Sequence, residues 1–305
     1  MLAILCSGQG RQTRSMFDLY AGAPEAEPVF AAATAVLGED PRRFVQEAED
    51  AALHRNRTSQ LLNVTRALVA HACLAPAFPP RLLVAGYSVG EMVAWGIAGV
   101  WSVADTLRLV ARRAEFMDQA SGNDDALGFV RGLGYAAIEA LAAQSGCGIA
   151  IVNPGQLFVV GGAREDVARL CHEALQMGAS HSGLLPVQVA SHTARLSRAV
   201  DPFEQALRAT EPQPTTSGRK LLGATNAEVI LSPADALKGL ASQLATTIDW
   251  NAVLIALVEQ GVDRVLELGP GSALADMVRA AHPSVRARAL DDFRSIEGAK
   301  DWLRA

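Results

Sequence analysis

Four cysteines, Cys6, Cys73, Cys147 and Cys171, are scattered along 305 residues with no C-x-x-C spacing. That scatter argues against a disulfide framework or a zinc site and fits a reduced, cytoplasmic compartment. No stretch reaches the roughly 18–20 uninterrupted apolar residues of a membrane span. The N-terminal MLAILC is too short an apolar run, and lacks the leading positive charge, to read as a signal peptide. A strongly basic stretch is also missing. With 27 basic and 32 acidic residues the formal net charge is −5, which argues against nucleic acid as a partner.

What is present is apolar. Half the residues are hydrophobic and only 19% are charged, enough to bury a sizeable core. The length exceeds the roughly 100–200 residues usual for one domain, so a large α/β domain with a smaller one is expected. LAILC (2–6) reads as a buried strand running into the turn SGQG. QLLNVTRALVAHACLA (60–75) has apolar residues at helical spacing. Residues 82–85 read as a strand and 89–98 as a helix. SVADTLRLVARRAEFMDQA (102–120) is a helix capped by Ser102 with Asp105 at the third position.

From residue 125 the pattern changes. LGFVRGL, AAIEALAAQ, GIAIVN, LFVVGG, REDVARLCHEALQMG and GLLPVQVA follow one another as βαββαβ, the ferredoxin-like order. The expected organisation is a large domain formed by residues 1–124 and 194–305 with a small domain, 125–193, inserted into it. After the insert, KLLGAT, RVLELG and RARAL read as strands. They alternate with helices at SPADALKGLASQLAT (232–246), WNAVLIALVEQG and GSALADMVRAA. Such alternation implies a largely parallel sheet covered on both faces.

VAGYSVGEM (84–92) carries the chemistry. Gly86 to Gly90 match G-x-S-x-G between a predicted strand and a predicted helix, the setting in which a serine sits on a strained, tight turn. The alternative reading is an ordinary glycine-rich βα turn. A nucleophilic Ser88 needs a base. Of the six histidines (His54, His71, His172, His181, His192 and His282), His71 and His172 fall in helical patterns, His54 in a polar stretch, and His282 near a helix end. His192 stands where the insert returns the chain to the large domain, a place that can face a cleft. Position alone favours a surface histidine after a strand. Glu91 lies in the first turn of a helix, where a carboxylate is favoured. Arg113 lies in an apolar helix face, so its guanidinium either pairs with an internal acid or awaits an anionic ligand; Arg112 reads as solvated. SGQGRQ (7–12) lacks the G-x-G-x-x-G of a dinucleotide loop, but its backbone N–H groups could serve an oxyanion.

Together these segments resemble the malonyl-CoA:acyl carrier protein transacylase family along nearly the whole chain. GQGRQ (8–12) resembles its G-Q-G-x-Q, GYSVGE (86–91) its G-H-S-x-G-E, and RRAEFMDQA (112–120) its R-G-x-x-M-Q. NPGQLFVVGG (153–162) resembles its N-S-P-G-Q segment and LPVQVASHTARL the strand ending in S-H. LASQLATTIDW and VLELGPGSAL resemble two C-terminal segments. The resemblance implies an α/β-hydrolase-like large domain with a ferredoxin-like insert. It makes Ser88 the nucleophile and His192 its base, with the imidazole held by the backbone carbonyl of Gln243. It assigns the oxyanion hole to the N–H groups of Gln9 and Val89, the malonyl carboxylate to Arg113, and substrate contact to Tyr87 and Asn153. The implied substrates are malonyl-CoA and an acyl carrier protein, with no cofactor and no metal.

Three positions depart from the family pattern. Tyr87 stands for the usual histidine before the serine, Ser7 for the proline before G-Q-G, and Asn153 lacks its following serine. These departures point to a specialised branch, read here as the transacylase that charges the carrier subunit of malonate decarboxylase. Two alternatives stay open: an α/β-hydrolase esterase or thioesterase using His282 with Asp263 or Asp276, and a non-catalytic carrier-binding subunit. Arg195, Arg198, Arg219 and Lys220 are candidates for a basic rim facing the carrier or the CoA phosphates.

Overall fold

The computed structural model describes residues 1–10 and 12–305; Arg11, within the GQGRQ segment, lies outside the described residues. The chain begins with β1 (Leu2–Cys6) and the helices α1 (Glu27–Leu37), α2 (Pro41–Glu47), α3 (Asp50–Leu53) and α4 (Asn56–Leu74). It continues through β2 (Leu82–Gly86), α5 (Gly90–Ile97) and α6 (Val103–Ala120). Next come β3 (Asp125–Arg131), α7 (Tyr135–Ser145), β4 (Gly148–Asn153), β5 (Leu157–Ala163), α8 (Arg164–Gln176) and β6 (His181–Leu184). The remainder is α9 (Ser197–Arg208), β7 (Arg219–Leu222), β8 (Val229–Ile230), α10 (Pro233–Ser242), β9 (Ile248–Asp249) and α11 (Trp250–Glu259). It closes with β10 (Arg264–Leu268), α12 (Ala273–Ala281), β11 (Arg286–Ala289) and α13 (Ile296–Arg304).

Two sheets organise these elements. The larger has the order β11-β10-β1-β2-β7-β8 and is parallel except for the β7–β8 hairpin. β1 is apolar throughout because both its faces are covered. Leu2, Ile4 and Cys6 join the core that includes α4 and α5, while Ala3 and Leu5 join the core that includes α11 and α12. Side chains alternate across a strand, so a strand buried on both faces shows no polar positions.

The second sheet has the order β6-β3-β5-β4-β9. Its first four strands are antiparallel neighbours in the ferredoxin-like arrangement, with α7 and α8 packed over them in a separate core around Val130, Ile138, Phe158 and Leu170. β9 extends this sheet by pairing in parallel with β4, although it comes from the later segment of the chain. The strand expected over 183–190 ends at Leu184 instead. Pro186 has no N–H for a ladder bond, and the chain leaves the sheet before it. The helix expected over 232–246 stops at Ser242 and tightens into a 3-10 turn at Gln243–Ala245.

No helix of the described residues is long and apolar enough to cross a membrane. Arg219 and Lys220 pair with Leu82 and Leu83 at the starting end of β2, whereas Ser88 follows its other end. Arg195 is tied to the buried Asp125 at 3.0 Å. Arg219 and Lys220 therefore stand at the end of β2 away from Ser88.

Candidate active site

The site forms where β1 and β2 end, side by side in a parallel sheet, which is where such sheets place their sites. β2 runs into Tyr87 and Ser88, and α5 begins two residues later. Ser88 adopts φ +55°, a left-handed conformation costing on the order of 1–3 kcal/mol for a non-glycine residue. The turn is held by Gly90 N–H to Tyr87 O (2.9 Å) and Glu91 N–H to Ser88 O (3.0 Å). The flanking glycines are steric requirements. A Cβ on Gly90 would lie 2.1 Å from Cys6 O, and one on Gly86 would lie 2.1 Å from the Gly90 carbonyl carbon.

Ser88 Oγ lies 2.7 Å from His192 Nε2. On its other side, His192 Nδ1 lies 2.7 Å from the backbone oxygen of Gln243. Helix ends leave carbonyls without intrahelical partners, and the turn after α10 supplies one here. With Nδ1–H donating to that oxygen, Nε2 is left free to accept from the serine. His192 is itself left-handed (φ +62°), and its N–H donates to Leu244 O at 2.8 Å. The imidazole is 1% exposed. Burial, then the nearby Arg113 charge, pushes its pKa down to about 3.

The loop after β1 reaches the same point. Gly8 is so close to Tyr87 and Ser88 that a Cβ there would meet Tyr87 O at 2.9 Å. Among the described residues the N–H groups of Gln9 and Val89 have no hydrogen-bond acceptor, so each is a free donor. A cleft of about 250 Å³ is lined by Ser7, Gln9, Tyr87, Glu267, Leu274 and Met277 among others. Beyond Ala273 and Met277 a second groove continues to Arg131, Pro154 and Leu157 of the insert.

Arg113 projects from α6 and is 2% exposed. Nη1 donates to Gln60 Oε1 at 2.7 Å, and Nη2 lies 3.5 Å from Gln243 Oε1. Among the described residues no carboxylate lies within ion-pair distance of it. Burial pulls its pKa down to about 10. A buried cation surrounded by neutral amides is costly unless an anion arrives. The nearest negative group is Glu91, one amide away. Gln243 Nε2 donates to Glu91 Oε2, and Ala224 N–H donates to Oε1 at 3.1 Å. Arg112, by contrast, is exposed and paired with Glu115.

Tyr87 packs edge-on against Trp250, with ring centroids 5.2 Å apart, and its hydroxyl is turned toward Asn153. The Asn153 amide is 3% exposed, and neither of its polar atoms reaches a partner at hydrogen-bonding geometry. Ser7 also gains a reason. Its hydroxyl donates to Glu267 Oε1 at 2.7 Å, and Ala275 N–H donates to Oε2 at 2.8 Å. Glu267 is buried, and desolvation lifts its pKa to about 7. A proline at position 7 could not make this bond.

Three contributors escape a linear reading: Gln60, Glu267 and the side chain of Gln243. The signal for Gln60 was a polar residue on the apolar face of α4, and for Glu267 a carboxylate inside the apolar run VLELG. The esterase alternative fares poorly. His282 caps α12, Asp263 holds the N-terminal amine at 2.7 Å, and Asp276 bonds Ser272 and Arg279. The imidazole at Ser88 is that of His192.

An elbow serine, a buried imidazole oriented by a carbonyl, and two free N–H groups form a site able to carry an acyl group as a serine ester. Comparison with known proteins agrees. Residues 4–287 match the acyl transferase domain family. The malonyl CoA-acyl carrier protein transacylase of Escherichia coli O157:H7 is 32% identical over 97% of this chain and 98% of its own. The structure of a malonyl-CoA:acyl carrier protein transacylase from Xanthomonas oryzae pv. oryzae superposes with a TM-score of 0.92 at 27% identity, covering 99% and 98% of the two chains. A malonyl-transacylase solved with its type II PKS acyl-carrier protein gives 0.90 at 27% identity, covering 98% and 99%. The chain belongs to the acyltransferase family.

Proposed function

We propose that this protein transfers a malonyl group from malonyl-CoA, through an ester on Ser88, to the phosphopantetheine-type thiol of an acyl carrier protein. The observation that carries the reading is Arg113, a buried guanidinium without a carboxylate partner among the described residues, linked to the Ser88–His192 pair through Gln243, whose side-chain oxygen lies 3.5 Å from Arg113 and whose backbone oxygen lies 2.7 Å from His192 Nδ1. Relatives whose names state malonyl transfer to a carrier support it. In this reading residues 1–124 and 194–305 supply the nucleophile, the arginine and the Gln243 carbonyl. Residues 125–193 supply Asn153 and His192, so the cleft between the two units holds the acyl group.

Ser88 Oγ attacks the thioester carbonyl as its proton passes to His192 Nε2. The Gln9 and Val89 N–H groups bind the oxygen that becomes negative. Collapse breaks the carbon–sulfur bond, and the CoA sulfur leaves with the proton from His192. The carrier thiol then enters, gives its proton to His192 and takes the acyl group, returning the proton to Ser88. Arg113 fixes the free carboxylate, and Tyr87 and Asn153 border the reacting carbonyl. These steps use only the chain's own groups and no cofactor. A cytoplasmic setting suits the four unpaired cysteines.

Intact-mass spectrometry tests the reading. Mixing with malonyl-CoA adds one malonyl group to the wild type, and Ser88→Ala removes the adduct; an adduct that persists in the variant refutes the nucleophile. Transfer of label to an acyl carrier protein, compared with the carrier subunit of malonate decarboxylase, identifies the acceptor.

A further inference from the structure

The buried charges of the site do not balance once substrate is bound. In the free protein Arg113 contributes one positive charge. Glu91, joined to it through the Gln243 amide, contributes one negative charge when ionised. His192 is neutral. A malonyl carboxylate on Arg113 would bring a second negative charge into a space where Glu91 is 2% exposed and Arg113 is 2% exposed. Uncompensated charge is expensive at such depth, and an ionisable group responds by changing its proton occupancy.

We propose that Glu91 is a positioning residue that takes up a proton when Arg113 binds the acyl carboxylate, with the Gln243 amide as the element that switches between the two states. The inference rests on the malonyl reading above. In the free state Gln243 Nε2 donates to ionised Glu91 and Oε1 faces Arg113. In the bound state Glu91 carries O–H and needs an acceptor. A half-turn of the amide offers it Oε1 and turns Nε2 toward the substrate carboxylate. The backbone oxygen of the same residue holds His192 Nδ1, so the rotation leaves the base in place.

The surroundings permit this exchange. A cavity of about 280 Å³ adjoins Glu91 on the side lined by Trp95, Thr225, Asn226, Asp235 and Leu240. Asn226 and Asp235 are exposed, so a proton from solvent has a path inward. The charged groups around Glu91 are few. From α6 comes Arg113 and from α10 the exposed Asp235 at the outer end of the cavity. β1 brings Cys6, whose thiol burial keeps protonated. On α4, Arg57 is paired with Glu115, Arg66 with Asp291, and His71 stacks on Phe78. β2 brings no ionisable side chain. Burial, as the leading cause, sets the Glu91 pKa at about 7 in the free protein. A second negative charge nearby raises it further, so uptake is greatest just above neutrality and malonyl affinity weakens as pH rises.

Calorimetric titration of Ser88→Ala with malonyl-CoA at pH 8, in two buffers of different ionisation enthalpy, counts the protons. We expect uptake approaching about one proton per site, none with acetyl-CoA, and none with malonyl-CoA in Ser88→Ala/Glu91→Gln. Malonyl affinity should fall by up to about tenfold per pH unit above 7 in the first variant and stay flat in the second. Equal uptake with acetyl-CoA, no uptake with malonyl-CoA, or uptake that survives Glu91→Gln overturns the proposal. Should the double variant fail to fold, the malonyl–acetyl difference in the Glu91 protein still decides, because the CoA phosphates are common to both ligands. Failure of malonyl-CoA to label wild-type Ser88 would instead refute the reading beneath it.

Discussion

Replacing Arg113 with alanine should convert a selective acyltransferase into an indifferent one. One guanidinium nitrogen is committed to Gln60 at 2.7 Å, while Nη2 has only a 3.5 Å contact to Gln243. The weakly occupied side of the fork is available to a carboxylate. Two charge-assisted hydrogen bonds in a buried site are worth about 1.5–3 kcal/mol each. Allowing for what Gln243 recovers, the loss is about 3–5 kcal/mol, or roughly two to four orders of magnitude in kcat/KM for malonyl-CoA. Acetyl-CoA has no carboxylate to lose. Its kcat/KM should hold or rise, because Arg113 is the second cause depressing the His192 pKa and its removal makes the imidazole more basic. The fold should survive, since Glu91, left without its counter-charge, already has a pKa of about 7 and can take a proton. The assay is acylation of Ser88 by each thioester, followed by intact mass. Arg113→Lys keeps the charge without the planar fork and should fall between. A malonyl-to-acetyl ratio within about fivefold of wild type in Arg113→Ala would refute the carboxylate role.

Two further outcomes follow from buried ionisable groups. The His192 imidazole stays neutral down to about pH 3, so acylation by acetyl-CoA should show no acid limb between pH 5 and 7; a limb near 6.5 would mean the working base is a solvated histidine. Its depressed folded pKa also means the unfolded chain binds the extra proton below 6.5, so its contribution to stability declines as pH falls from there toward 3. Glu267 runs the other way: its folded pKa of about 7 exceeds the unfolded value, so stability is lost as pH rises through about 4.5 to 7, by up to about 1.4 kcal/mol per unit. Glu267→Gln removes that loss, and its Tm relative to wild type should climb between pH 5 and 8; a difference independent of pH would show that Glu267 is ionised throughout.

How much of this was legible in the chain depends on sequence distance. The serine elbow is local: β2, Gly86, Ser88, Gly90 and α5 lie within sixteen residues, and each glycine answers a clash measured in the structure. The insert was legible for the same reason, because its four antiparallel strands and two helices are consecutive. Local pattern failed where a single backbone detail decides an end, as at Pro186 beyond β6. It also missed β9, two residues long and recruited by a neighbouring sheet. The polar machinery around the reacting groups was hidden because it is made by pairs far apart in the chain. Ser7 meets Glu267, Gln60 meets Arg113, and Glu91 meets Gln243.

Those long-range pairs share a logic. Glu267 and Glu91 are buried carboxylates, each accepting one backbone N–H and one side-chain donor. Each sits behind a segment that must hold still during acyl transfer. Ser7–Glu267 ties the loop bearing the Gln9 N–H to β10 and α12, and Glu91–Gln243 ties α5 to the turn that orients His192. The two most strained positions of the site, Ser88 and His192, both with positive φ, are thereby clamped from opposite sides. A left-handed serine and a left-handed histidine would relax if either segment slackened, because nothing local favours those conformations in non-glycine residues. The cost of burying two carboxylates is therefore tied to geometry at the reacting atoms, and Ser7 belongs to that support although it stands one residue outside the G-Q-G loop.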